Sequence, residues 1–227
     1  MVSIKWLSEA IDLKIDLKTN AYAFLHGKEV RKVIIAMHGF GDSGENFSNL
    51  ASKFDVKGVL WIFLDALYPT SQIFGEGYQW FPIFSEPYYE VKESCDYVNS
   101  IIESISREFR LETRHIGLLG FSQGASLALQ VSLRQKSILW LTLSLSGFLL
   151  NMRDLYENKS SLNTSARIFL AHGQDDSVVY PLSFYEARNF LNSIDCQVES
   201  HVYSIDHSLC PEEISDIKAF ITENMDL

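Results

Sequence analysis

Ile116-Gly117-Leu118-Leu119-Gly120-Phe121-Ser122-Gln123-Gly124-Ala125-Ser126-Leu127-Ala128-Leu129 is the stretch on which the fold turns. Its first four residues form a short apolar run ended by glycine, the composition of a strand covered on both faces. Its last five are small and apolar, suited to a helix packed closely on that strand. Ser122 therefore sits on a tight strand-to-helix corner. A nucleophile there takes a strained backbone, and a Cβ two residues before or after it would collide with the neighbouring strand or helix, which explains Gly120 and Gly124. The helix that follows aims its N-terminus at the serine, placing partial positive charge where negative charge would develop. By itself the pentapeptide also fits an ordinary Ser/Gly turn of an α/β protein, so the rest of the chain has to decide.

Further apolar runs lie at Val33–Met37, Val59–Leu64, Ile138–Leu145 and Arg167–Ala171, and the run around Ser122 begins at His115. Helical patterns separate them. The clearest covers 88–110, with Val91, Cys95, Val98, Ile102, Ile105 and Phe109 at three-to-four spacing. Pro211 opens a last one carrying Ile214, Ile217, Phe220 and Ile221. Residues 11–18 alternate as Ile-Asp-Leu-Lys-Ile-Asp-Leu-Lys, which predicts a half-exposed antiparallel strand paired with 21–25. The pattern predicts an α/β fold: a mostly parallel, doubly wound sheet with an antiparallel N-terminal strand pair and helices on both faces. No repeat, linker or composition break divides residues 1–227, which read as a single domain.

Lys and Arg number 19 against 29 Asp and Glu, a net charge of −10 with no basic cluster. That excludes nucleic acid and an anionic membrane surface as principal partners. No apolar stretch is long enough for a bilayer span, which argues against stable membrane insertion. The N-terminus lacks a secretory signal pattern, and Cys95, Cys196 and Cys210 have no metal-ligand spacing. The expectation is a cytoplasmic protein with buried thiols.

A serine hydroxyl needs a base to take its proton, and the base needs a third group to fix its tautomer. Ile168 to Asp176 reads as a strand running into a turn with two carboxylates, Asp175 and Asp176. Val202 to His207 reads as a strand running into a histidine. The order Ser122, Asp176, His207 is the one such a sheet supports. Asp175, Asp206, His172 and His38 are rivals for the partner roles. Oxyanion donors are expected from the backbone N–H of Gln123 and of Phe40, the latter in the loop His38-Gly39-Phe40-Gly41-Asp42-Ser43-Gly44. That loop also spells G-x-G-x-x-G with Asp65 about 20 residues on, the formal fingerprint of a dinucleotide site. Asp42 would set a carboxylate against the pyrophosphate, and the fingerprint leaves Ser122, Asp176 and His207 unexplained. Residues 67–89 hold eight aromatics broken by proline and glycine, a packed shield of the core or a wall of a substrate pocket.

Taken together, these segments resemble the phospholipase/carboxylesterase family of α/β-hydrolases, which includes acyl-protein thioesterases and small bacterial carboxylesterases. The 38–44 loop looks like the family's histidine-glycine-x-glycine-aspartate loop, and Gly120-Phe121-Ser122-Gln123-Gly124 like its nucleophile elbow. Leu145-Ser146-Gly147, His172-Gly173-Gln174-Asp175-Asp176 with Val179, and His207 with Cys210-Pro211-Glu212-Glu213-Ile214 match in the same order. The resemblance places the acid at Asp176 rather than Asp175. Two departures stand out: Asp206 where the family has glycine before its histidine, and Ser177 where proline usually follows the acid. A carboxylate at 206 could crowd His207 or raise its pKa.

The resemblance implies a cofactor-free α/β-hydrolase that cleaves carboxylic esters through an acyl-enzyme. Its substrate would be a small-molecule or lipid acyl ester, with acylated protein or lysophospholipid as the long-chain alternative. Trp80, Phe81 and Phe148 are candidates for substrate contact. A monomer or homodimer fits, and a non-catalytic binding module on the same fold is the alternative of a different class.

Overall fold

The computed structural model describes residues 2–70, 75–83 and 91–226. Ten strands are present among them: β1 (Ile4–Trp6), β2 (Ala21–Leu25), β3 (Lys32–Met37), β4 (Val59–Leu64), β5 (Tyr68–Pro69), β6 (Tyr78–Gln79), β7 (Ile116–Phe121), β8 (Thr142–Leu145), β9 (Arg167–Gly173) and β10 (Gln197–Tyr203). The α-helices are α1 (Gly44–Phe47), α2 (Lys92–Phe109), α3 (Gln123–Arg134), α4 (Met152–Asn158), α5 (Leu182–Ser193) and α6 (Pro211–Glu223). Eight strands form one sheet in the order β1-β2-β4-β3-β7-β8-β9-β10, and β5 with β6 forms a small antiparallel pair.

The continuous apolar runs become the inner strands because both faces of each are covered. β3 and β4 are buried along their whole length. In β9, Ile168 and Leu170 pack with Phe184, Ala187 and Leu191 of α5. The alternate residues Phe169 and Ala171 pack with Ile217, Phe220 and Ile221 of α6 on the opposite face. α2 and α3 cover the first face through Val98, Ile101, Leu127 and Val131. Pro211 sits in the first turn of α6, as expected, with the Cys210 Sγ accepting the Glu213 N–H (3.4 Å) at its N-cap. Cys95, Cys196 and Cys210 are all buried. No helix among the described residues is long and apolar enough to cross a membrane.

The mostly parallel sheet with helices on both faces is as the sequence predicts, but its antiparallel element lies elsewhere. β1 runs parallel to β2, and it is β2 against β4 that is antiparallel. Residues 11–18 join no strand. Ile11, Leu13, Ile15 and Leu17 lie on the cluster built by α2. The amides of Lys14 and Asp16 donate to α2 side chains, Glu108 Oε1 (3.1 Å) and Ser104 Oγ (3.0 Å). Period two therefore records an extended chain with one side laid on a helix, whose backbone groups find partners outside any ladder. Similarly, the run from Ile138 becomes a strand only at Thr142.

Chain order reverses between β3 and β7: from β3 the chain steps to β4 on one side, while β7 leads to β8, β9 and β10 on the other. In open α/β sheets, ligands bind beyond the carboxyl ends of strands at such a point. The 38–44 loop follows β3, Ser122 follows β7, and Asp176 and His207 follow β9 and β10. All four segments therefore leave parallel strands at one edge of the sheet.

Candidate active site

Ser122 takes φ 54° and ψ −115°, a conformation an L-residue adopts at a cost of about 1–3 kcal/mol. Its N–H donates to Leu145 O (2.8 Å), and its carbonyl accepts the amides of Ala125 (3.0 Å) and Ser126 (3.1 Å) as α3 begins. The flanking glycines are required by contact. A Cβ on Gly120 would stand 2.1 Å from Gly124 O, and one on Gly124 would stand 2.1 Å from Met37 O in β3. The corner is thus wedged between β7, α3 and the end of β3, which holds Ser122 at the helix N-terminus with only 8% of its surface exposed.

Asp176 is 2% exposed. One oxygen, Oδ1, accepts the N–H groups of Val178 (3.0 Å) and Val179 (2.8 Å). The other, Oδ2, lies 2.7 Å from His207 Nδ1. Asp175 is exposed, and of the two adjacent carboxylates it is Asp176 that reaches His207. His207 packs its ring against Phe121, the residue before Ser122, with centroids 4.9 Å apart. The elements after β7, β9 and β10 thereby converge.

His172 braces the acid from behind. Its Nε2 donates to Val179 O (2.7 Å) and lies 3.3 Å from Asp176 Oδ2. Burial, the largest influence, pushes its pKa down, so it stays neutral there. His172 is four residues before Asp176, a spacing visible in the sequence, but the turn that folds it back is not.

The 38–44 loop abuts the elbow: a Cβ on Gly39 would sit 3.4 Å from the Ser122 Cβ. His38 is fully buried, and burial lowers its pKa. Ala66 N–H donates to its Nε2 (3.2 Å), so Nδ1 carries the proton and bonds Gly39 O (2.6 Å). This ties down the peptide just ahead of Phe40. Rather than a base, His38 is a structural tie. Gly41 N–H donates to Tyr78 O (2.9 Å) and Tyr78 N–H to Asp42 O (2.8 Å), joining the loop to β6.

Of the aromatic segment, 71–74 and 84–89 lie outside the described residues, as does the start of the helical pattern before residue 91. Trp80 and Phe81 are fully buried. Trp80 gives its Nε1–H to His38 O (2.9 Å) and its backbone N–H to Gln123 Oε1 (2.8 Å), while Gln123 Nε2 donates to Phe81 O (2.7 Å). Neither side chain has accessible surface for a substrate, so both brace the site. Phe148 keeps partial exposure and is held by its N–H to Ser126 Oγ (3.1 Å). The Gln123 side chain was not singled out by sequence, yet it pins the aromatic segment to α3. Gln123→Ala leaves a buried donor or acceptor unpaired at Trp80 and Phe81 and is expected to cost about 2–4 kcal/mol. Thermal unfolding checks this, at roughly 2–4 °C of Tm per kcal/mol for a chain of this size.

The dinucleotide fingerprint fails on contact. Asp65 is 2% exposed, and its Oδ1 accepts the Gly44 N–H (2.8 Å), the amide a pyrophosphate would need. The helix opened there, α1, has only 4 residues.

A family model described as Phospholipase/Carboxylesterase matches residues 19–225. Among curated proteins, the chain is 28% identical to acyl-protein thioesterase 1 of Saccharomyces cerevisiae over 217 residues, covering 86% of this chain and 93% of that protein. It is 30% identical to acyl-protein thioesterase 1 of Emericella nidulans over 220 residues, covering 86% and 90%. Among solved structures, esterase PE8 superposes with a TM-score of 0.78 at 21% identity, covering 86% of this chain and 93% of that one.

Proposed function

The chain belongs to the phospholipase/carboxylesterase family of ester and thioester hydrolases, and from that premise we propose a serine hydrolase acting through an acyl-enzyme. Ser122 is the nucleophile, His207 the general base and then acid, and Asp176 the group that orients His207. The observation that carries this is the buried Asp176 Oδ2 at 2.7 Å from His207 Nδ1, with that imidazole packed on the ring of Phe121, the residue before the strained serine. An ionised acid on Nδ1–H leaves the Nε2 lone pair to take the serine proton.

In acylation, the Ser122 oxygen adds to the acyl carbon while His207 takes its proton. The oxyanion draws on the N–H groups of Gln123, at the start of α3, and Phe40, whose loop touches the elbow; one such donor is typically worth about 3 kcal/mol. His207 then protonates the departing alcohol or thiol. Water, deprotonated by His207, releases the acid and regenerates Ser122. Phe148 is the proposed aromatic contact for substrate. The similarity to proteins named acyl-protein thioesterase 1 over 86% of this chain supports thioesters of acylated proteins as the substrate class, and we propose long acyl chains over small esters. We place the enzyme in the cytoplasm as one catalytic domain.

The test is hydrolysis of p-nitrophenyl esters from two to sixteen acyl carbons beside an S-palmitoylated peptide. A maximum at long chains with release of the peptide thiol is the expected outcome. A maximum at two to four carbons with no thiol release would return the protein to small-ester chemistry. No reaction of Ser122 with a fluorophosphonate would favour the non-catalytic alternative.

A further inference from the structure

The loops that carry Asp176 and His207 are joined by a side chain that the hydrolytic steps do not use. Asp206 Oδ1 accepts the N–H of Ser177 (2.8 Å), the hydroxyl of Ser177 (3.0 Å) and the N–H of His207 (2.8 Å). Its Oδ2 lies 3.2 Å from the same hydroxyl. One carboxylate thus collects the amide that follows the acid and the amide of the base itself. It faces the His207 backbone, so it holds that residue instead of crowding its ring.

Both side chains are needed for the bridge: a glycine at 206 would offer no acceptor, and a proline at 177 would give neither N–H nor hydroxyl. The backbone beneath them is close: Asp175 N–H donates to Ile205 O (3.0 Å), and a Cβ on Gly173 would stand 2.6 Å from Asp206 O. The Ser177 amide first, and then the His207 amide, hold the Asp206 carboxyl below its ordinary value, so the acceptor is ionised at neutral pH.

We propose that Asp206 is a positioning residue that locks the backbone of His207 to the Asp176 loop and so fixes the approach of the imidazole. The inference rests on Asp176 and His207 being the acid and base, and it acts through the backbone with no contact to substrate. Small displacements of a catalytic group are expensive in rate even when the fold is intact.

The experiment compares wild type with Asp206→Ala, Asp206→Asn, Ser177→Ala and the Asp206→Ala/Ser177→Ala double variant. The readouts are kcat and KM on one p-nitrophenyl ester and the NMR signal of the His207 Nδ1 proton. Asp206→Ala is expected to lower kcat by about tenfold with KM within about twofold, and to broaden the proton signal. Asp206→Asn keeps a carbonyl acceptor for the two amides and is expected to recover most of that loss. The double variant should be no slower than Asp206→Ala alone, because both cut one bridge. A wild-type kcat and sharp proton signal in Asp206→Ala would overturn the proposal, as would equal losses in the Ala and Asn variants. Activity that survives Ser122→Ala would overturn the assignment of Ser122, His207 and Asp176 as nucleophile, base and acid instead. The bridge is then judged by the proton signal alone: sharp in Asp206→Ala, it fails.

Discussion

Ser122→Ala is expected to reduce ester and thioester turnover by at least about 10⁴-fold, while the protein unfolds at the temperature of wild type. The loss is large because, in the proposed mechanism, the Ser122 oxygen forms the covalent bond, and no second group can substitute for it. Ser126 is the nearest serine in sequence, but its Oγ is spent on the Phe148 N–H and on Ser122 O, and it is buried. The fold is preserved because alanine keeps the Cβ and the bonds that hold the corner run through backbone N–H and C=O. The backbone at φ 54° is as strained for alanine as for serine. Steady-state rates on the acyl panel, circular dichroism and fluorophosphonate labelling check this together. Turnover above about one hundredth of wild type, with the same chain-length profile, would move the nucleophile elsewhere.

How much of this was legible in the sequence depends on whether a feature is local. The corner at Ser122 was readable because sterics leave few residues that fit: Gly120 and Gly124 each face backbone at 2.1 Å, and only glycine has no Cβ to place there. The inner strands were readable because burial on both faces writes an unbroken apolar run. The strand at 59–64 has the bounds that its run predicts. Residues 11–18 show the limit. A pattern of period two states that one side of an extended chain is buried, but not whether the partner is a strand or the flank of α2. Nothing local reveals that Ser104 and Glu108, on a helix 88 and 94 residues away from their partners, take the place of a ladder.

The site divides in the same way. Ser122, Asp176 and His207 follow strands, so their placement at one sheet edge comes from topology that the alternation of elements implies. The braces do not. Trp80 and Phe81 read as pocket walls because aromatic loops near a site usually are, whereas here their backbone groups satisfy the side chain of Gln123 and their rings fill the core. Asp206 was legible only as a mismatch to a pattern. Its partner, Ser177, is 29 residues away, and the pairing exists only because β9 and β10 lie side by side in register.

Asp176→Asn should lower kcat by about 10⁴-fold without unfolding the protein. The substitution changes one atom, and the structure dictates which way the amide must turn. The position of Oδ1 faces two backbone donors, Val178 and Val179 N–H, at 3.0 and 2.8 Å. An asparagine that put its NH₂ there would set donors against donors in a buried site, so its carbonyl takes that place. The NH₂ then falls at the position of Oδ2, 2.7 Å from His207 Nδ1. His172 Nε2, also within 3.3 Å of that position, already gives its proton to Val179 O and does not reverse the choice. Facing a donor, His207 Nδ1 must accept, and the ring proton moves to Nε2. An Nε2–H imidazole cannot take the serine proton, and a neutral amide does not stabilise the imidazolium that would follow. Asp175→Asn is the control: that side chain is exposed, and its variant should keep kcat within about twofold, as surface substitutions generally do. Rates for both variants, with the His207 tautomer read by ¹⁵N NMR, settle the assignment. If Asp176→Asn retained more than about a tenth of wild-type kcat with the Nδ1–H tautomer in place, His207 would be oriented by some other group, and the buried carboxylate would be only a tie between Val178, Val179 and the end of β10.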